Sequence, residues 1–112
     1  MELKDLLPET TLTASLSNVK GDKLALPNSV DSIIFQIIVS NRTGGDVSAV
    51  IEHSIDGSNW HTLISFTANI NSNTAELKIP TTTVGGFVRS SHSTAVATAL
   101  KAQIQVGYRS RK

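Results

Sequence analysis

Between residues 100 and 109 the chain alternates without interruption. Leu100, Ala102, Ile104, Val106 and Tyr108 are apolar, while Lys101, Gln103, Gln105, Gly107 and Arg109 are polar or small. A period of two puts one set on each face of an extended strand, and no helical period of 3.6 accommodates it. The same alternation returns in residues 11–18, with Leu12, Ala14 and Leu16 on one side, and in residues 73–79, with Ala75, Leu77 and Ile79. Residues 32–40 are apolar on both sides: Ile33, Phe35, Ile37 and Val39 share one face, Ile34 and Ile38 the other. Such a strand is central, and its second face has to meet a loop or another subunit.

Composition agrees with the pattern. Val, Ile and Thr supply 31 of the 112 residues, and β-branched side chains keep their preferred rotamer on a pleated surface but lose freedom in a helix. Turn signals punctuate the runs: Gly21-Asp22, Pro27, Gly44-Gly45, Asp56-Gly57, Pro80 and Gly85-Gly86. About eight strands of five to nine residues separated in this way predict an all-β fold, a single antiparallel β-sandwich of jelly-roll or immunoglobulin-like type, with a closed barrel as the runner-up. We divide the chain into an N-terminal arm (1–10), the sandwich domain (11–108) and a basic C-terminal tail (109–112).

Charge narrows the function classes. Ten basic and nine acidic residues leave a net charge of +1, which gives no general attraction to nucleic acid or anionic lipid. Residues 1–76 nonetheless carry all nine acids against Lys4, Lys20, Lys23 and Arg42, whereas residues 77–112 carry six bases and no acid. Interleaved strands would mix these charges; separated ones would let copies meet basic side to acidic side. Cysteine is absent, which removes disulfides, thiolate nucleophiles and sulfur-ligated zinc. No run reaches the length of a membrane span. Residues 1–8 lack the basic, apolar, small-residue order of a signal peptide, so the chain is expected to work where it is synthesised.

No catalytic or cofactor motif emerges. The chain holds no glycine-rich phosphate loop, no His-Glu-x-x-His and no Gly-x-Ser-x-Gly elbow. Glu52 and Asp56 belong to a strand and a turn, an arrangement unsuited to a glycosidase pair. His53 and His61 lie symmetrically about Gly57 and become cross-strand neighbours if the hairpin is centred there, yet no third metal ligand accompanies them. Asp46, Asp56 and Asn59 could be read as calcium ligands, but a turn already accounts for Asp56 and Asn59. His92 is placed in a small-residue loop, residues 92–98. Trp60 has two readings, an anchor for a sugar or a side chain closing the core; leading the series Trp60, Thr62, Ile64, Phe66, it is assigned to the core. No enzymatic activity, cofactor or metal is expected.

The segment Ser54-Ile55-Asp56-Gly57-Ser58-Asn59-Trp60, preceded by Glu52 and followed by a strand with Leu63 and Ile64, resembles the hairpin of small β-sandwich structural proteins of tailed bacteriophages, including decoration and tail modules. Gly85-Gly86-Phe87-Val88-Arg89 is similar to a later strand of such modules, and together the two cover about residues 47–91. The resemblance implies a non-catalytic virion protein, made in the host cytoplasm and oligomeric as a dimer or trimer. The foremost reading is a capsid decoration (cement) protein whose partners are the major capsid protein or other virion subunits, without membrane or specific nucleic acid. The alternatives are a tail, neck or baseplate subunit, and a carbohydrate-binding module for host attachment. Candidate partner-binding residues are Leu3, Leu6 and Leu7 of the arm, Ile34 and Ile38 of the two-faced strand, and Arg109, Arg111 and Lys112 of the tail. Asp56, Gly57, Asn59 and Trp60 form the structural turn.

Overall fold

The structure, a computed structural model, describes residues 1–95 and 99–110. Among them are nine strands and no helix: β1 (Glu2–Leu12), β2 (Leu16–Lys20), β3 (Leu24–Ala25), β4 (Val30–Ser40), β5 (Asp46–Ser54), β6 (His61–Ser65), β7 (Thr74–Lys78), β8 (Phe87–Ala95) and β9 (Leu100–Ser110). They form an antiparallel β-sandwich. One sheet has the order β1-β9-β4-β7; the other runs β2-β8-β5-β6, with β3 also pairing β8.

The alternating run is the middle of the first sheet. Strand β9 pairs β1 on one side and β4 on the other, in a register that sets Val106 beside Phe35, Ile104 beside Ile37 and Ala102 beside Val39. Their side chains meet Val47, Ala49, Ile51 and Val88 of the second sheet to make the core. Ile34 and Ile38 lie on the outer face of β4, half-buried.

The N-terminal segment is not a free arm. Residues 2–12 are zipped along β9 from Glu2 opposite Tyr108 to Leu12 opposite Leu100. Alternation from Leu3 and Asp5 on the outer face turns Leu6 inward, where it is 5% exposed within the core, and an irregularity between Asp5 and Leu7 sets Leu7 opposite Ile104, so that it too packs against the core. Only Leu3 of the three leucines stands out in solvent. Pro8 is tolerated because β1 is an edge strand, where one side of the backbone has no partner to serve.

Three further expectations are corrected. Residues 11–18 are not one strand: β1 ends at Leu12 and β2 starts at Leu16, the chain passing from one sheet to the other between them. A period-two pattern cannot register that the pairing partner changes. The start of the expected basic tail belongs to β9, with Arg109 beside Ser32; Arg111 and Lys112 lie outside the described residues. Finally, β8 runs on to Ala95, so His92 belongs to a strand; residues 96–98 of the expected loop lie outside the described residues.

Two predictions follow from this packing. Leu6→Ala should lower stability by about 2–4 kcal/mol in urea unfolding, the cost of a large core truncation, and deletion of residues 1–8 should destabilise the fold; a free arm would leave both midpoints unchanged. At Gly85 a Cβ would stand 2.5 Å from the Ser54 carbonyl oxygen, whereas at Gly86 it would meet nothing within 4 Å. Gly85→Ala should therefore cost at least about 1–3 kcal/mol, and Gly86→Ala should stay within about 0.5 kcal/mol of the parent.

Candidate interaction surfaces

The hairpin between β5 and β6 is built as the sequence suggests. Gly57 has φ +78°, a conformation that costs glycine little. Around it the polar groups satisfy one another: the amides of Ser58 and Asn59 donate to Asp56 Oδ1 at 2.9 Å, Asn59 Nδ2 donates to Asp56 Oδ2, and Ser54 Oγ accepts from the amide of Gly57. These donors, the Asn59 amide foremost, hold the Asp56 carboxyl well below its ordinary range although it is exposed. Its oxygens are engaged in shaping the turn, which is how the Asp56 and Asn59 pattern is explained without calcium.

His53 and His61 are cross-strand partners. Burial first, and the neighbouring His61 second, lower the pKa of His53; its Nδ1 accepts a hydrogen bond from the Gly85 amide at 3.0 Å. Among the described residues, no group of three or more His, Asp or Glu is arranged to hold a metal ion.

Trp60 corrects the core assignment. Pairing in the hairpin slips between Ile51, opposite Ile64, and Glu52, opposite Thr62. The extra residue on β6 reverses which side chains face inward. Ile64 and Phe66 thus turn to the core while Trp60 and Thr62 share the outer face with Glu52. There the Arg89 guanidinium lies 4.2 Å from the centre of the Trp60 ring. Arg89 Nε also donates to Glu52 at 2.8 Å, and Lys20 Nζ approaches the other Glu52 oxygen at 3.1 Å. Burial pushes the Glu52 pKa up, but the hydrogen bonds from Arg89 and Lys20 outweigh it and the net shift is downward.

The outer sheet faces therefore differ. On the β8–β5 side, charged groups are locked to each other. On the β9–β4 side, Leu3, Ile34 and Ile38 come together as candidates with Leu77 and Ile79, which the sequence reading left unassigned; Leu6 and Leu7 are separated from them, directed to the core. The alternation of Ala75, Leu77 and Ile79 was visible, but an alternation does not say which of its sides faces inward. Bases of the second part of the chain meet acids of the first across strands in Arg89–Glu52 and Lys101–Glu9, so interleaving mixes the charges. A hollow of about 430 Å³ is bordered by Pro27, Asp31, Thr82 and Val84, with Asp31 the titratable group among the described residues that line it.

His92 is the residue that sequence reasoning missed most completely. It is 4% exposed, and neither ring nitrogen nor the nearby Ser90 Oγ has a hydrogen-bond partner among the described residues. Burial lowers its pKa. No protein-family model and no curated protein matches the chain.

The buried imidazole carries a pH prediction. Unfolded, His92 takes up a proton near its ordinary value of 6.5; folded, it does so only at lower pH. The unfolded state then binds more protons in that window, so stability falls as pH drops below about 6.5, until the folded pKa is reached, by at most about 1.4 kcal/mol per pH unit for one histidine. In urea unfolding between pH 7.5 and 5, His92→Val should flatten this slope. An unchanged slope would exclude His92 as its source.

Proposed function

We propose that this chain is a non-catalytic structural protein of a tailed-bacteriophage virion, a capsid decoration protein that binds the major-capsid shell and stabilises it. The observation that carries the reading is the joint presence of a hydrogen-bonded Asp56-Gly57 hairpin, the element that resembles such modules, and a four-stranded face with exposed apolar side chains. A protein that works by being covered needs a stiff frame and a broad face, and its affinity comes from buried area and shape. The ionisable groups are consistent with this. Glu52, Arg89 and Asp56 are tied into ion pairs or the turn, and His92 is enclosed in the core. An aromatic sugar platform finds less support, since Tyr108 is buried and the Trp60 ring is covered by Arg89.

The test is co-sedimentation of the purified protein with expanded phage capsids, followed by heating of the decorated shells. Saturable occupancy and a raised shell-disruption temperature are expected. Shells that remain bare at protein concentrations of about 100 μM, far above the dissociation constants of specific interfaces, would overturn the reading.

A further inference from the structure

The outer face of the β1-β9-β4-β7 sheet gathers Met1, Leu3, Leu77 and Ile79, with exposures of 72, 62, 58 and 69%. The register arranges these side chains in rows across the strands. One row runs Leu3, Gly107, Ile34 and then Ile79, which lies one residue beyond β7 in line with Ile34. The place over Gly107 is taken by the Met1 side chain: a Cβ there would meet Met1 Sδ at 2.9 Å and Ile34 Cγ2 at 3.4 Å. The next row runs Asp5, Gln105, Gln36 and Leu77, and its polar groups bond within the face. Gln36 Nε2 donates to Gln105 Oε1 at 3.3 Å, and Gln105 and Gln103 both donate to Asp5 Oδ1. A third row sets Ile38 between Gln103 and Ala75.

We propose that two copies of the chain pair through this face, sheet against sheet, about a twofold axis parallel to β9 and β4. Such an axis keeps each row over itself and reverses its order. The Leu3 end of one copy then lies over the Ile79 end of the other, and Ile34 of each copy falls over Gly107 and the adaptable Met1 side chain that covers it. The amides already bond to one another, which lowers the cost of removing them from water. Among the described residues the charged side chains on this side, Asp5, Glu9, Lys101 and Arg109, cancel in sign, so they give identical copies no net repulsion.

The size suffices as well. Four strands about 4.8 Å apart and eight residues of about 3.3 Å rise project about 500 Å² per copy, or about 1,000 Å² for the pair, the lower bound for a specific interface. The inference rests on the assembly reading for its purpose and assigns this face to a second copy, so that the shell is met by surfaces the dimer leaves open.

The experiment is sedimentation equilibrium of the full chain without shells, from 1 to about 200 μM, a range that brackets micromolar affinity. The parent should show twice its 11.9 kDa mass. Ile34→Arg, and separately the double variant Leu77→Arg/Ile79→Arg, should raise the dissociation constant at least about tenfold. The double variant changes exposed side chains only, and its thermal midpoint as a monomer should match the parent's. Ile55→Arg, at the tip of the other sheet and 87% exposed, should dimerise like the parent. A parent that stays monomeric, a double variant that dimerises unchanged, or an Ile55→Arg variant that dissociates equally would each overturn the proposal. A dimer that leaves capsids bare would sink the decoration role and keep this interface; a monomer that decorates them would do the reverse.

Discussion

The inward half of β9, Leu100, Ala102, Ile104, Val106 and Tyr108, lies between β1 and β4 and is closed over by the second sheet. Burying each of its larger aliphatic side chains contributes about 1.5–3 kcal/mol, and the ladder to β1 and β4 satisfies backbone groups that could not be buried unpaired. Pairing on both sides has a second consequence: β1 and β9 are distant in sequence, so the sheet is complete only when both segments are in place. The first sheet thus depends on contacts between residues about a hundred positions apart, which is why the N-terminal segment is structural.

Small irregularities in pairing decide which residues are available at the surface. The shift in β1 sets Leu7 opposite the inward Ile104, so that it packs against the core directly after Leu6. The shift between Ile51 and Glu52 brings Ile64 inward and Trp60 outward. Once outside, Trp60 becomes the floor on which Arg89 lies while Arg89 holds Glu52. Each bulge adds one residue to one strand, and because side chains alternate, one residue is enough to exchange the faces of everything beyond it.

The two outer faces follow from these placements. One is polar and closed on itself through Lys20, Glu52 and Arg89. The other mixes aliphatic rows with amides that bond within their own row. Covering the first would mean separating or burying partnered charges; covering the second removes apolar surface from water with few polar groups left unpaired. That asymmetry is what supports the proposal that the chain is a component of an assembly.

Alternation, β-branched composition and turn residues were enough for an all-β sandwich, for the two unlike sides of β9, for the two apolar faces of β4 and for the Asp56-Gly57 turn, because each of these is settled by neighbours close in sequence; that His53 stands opposite His61 was left to the register of the hairpin. The buried site of His92, the outward turn of Trp60, the zipping of residues 2–12 along β9 and the exposure of Leu77 and Ile79 were decided only in the folded molecule. Each depends on which distant strand lies alongside and on where the pairing slips by one residue. A local pattern can say that two sides of a strand differ, but it takes the opposing sheet to determine which of them is removed from water.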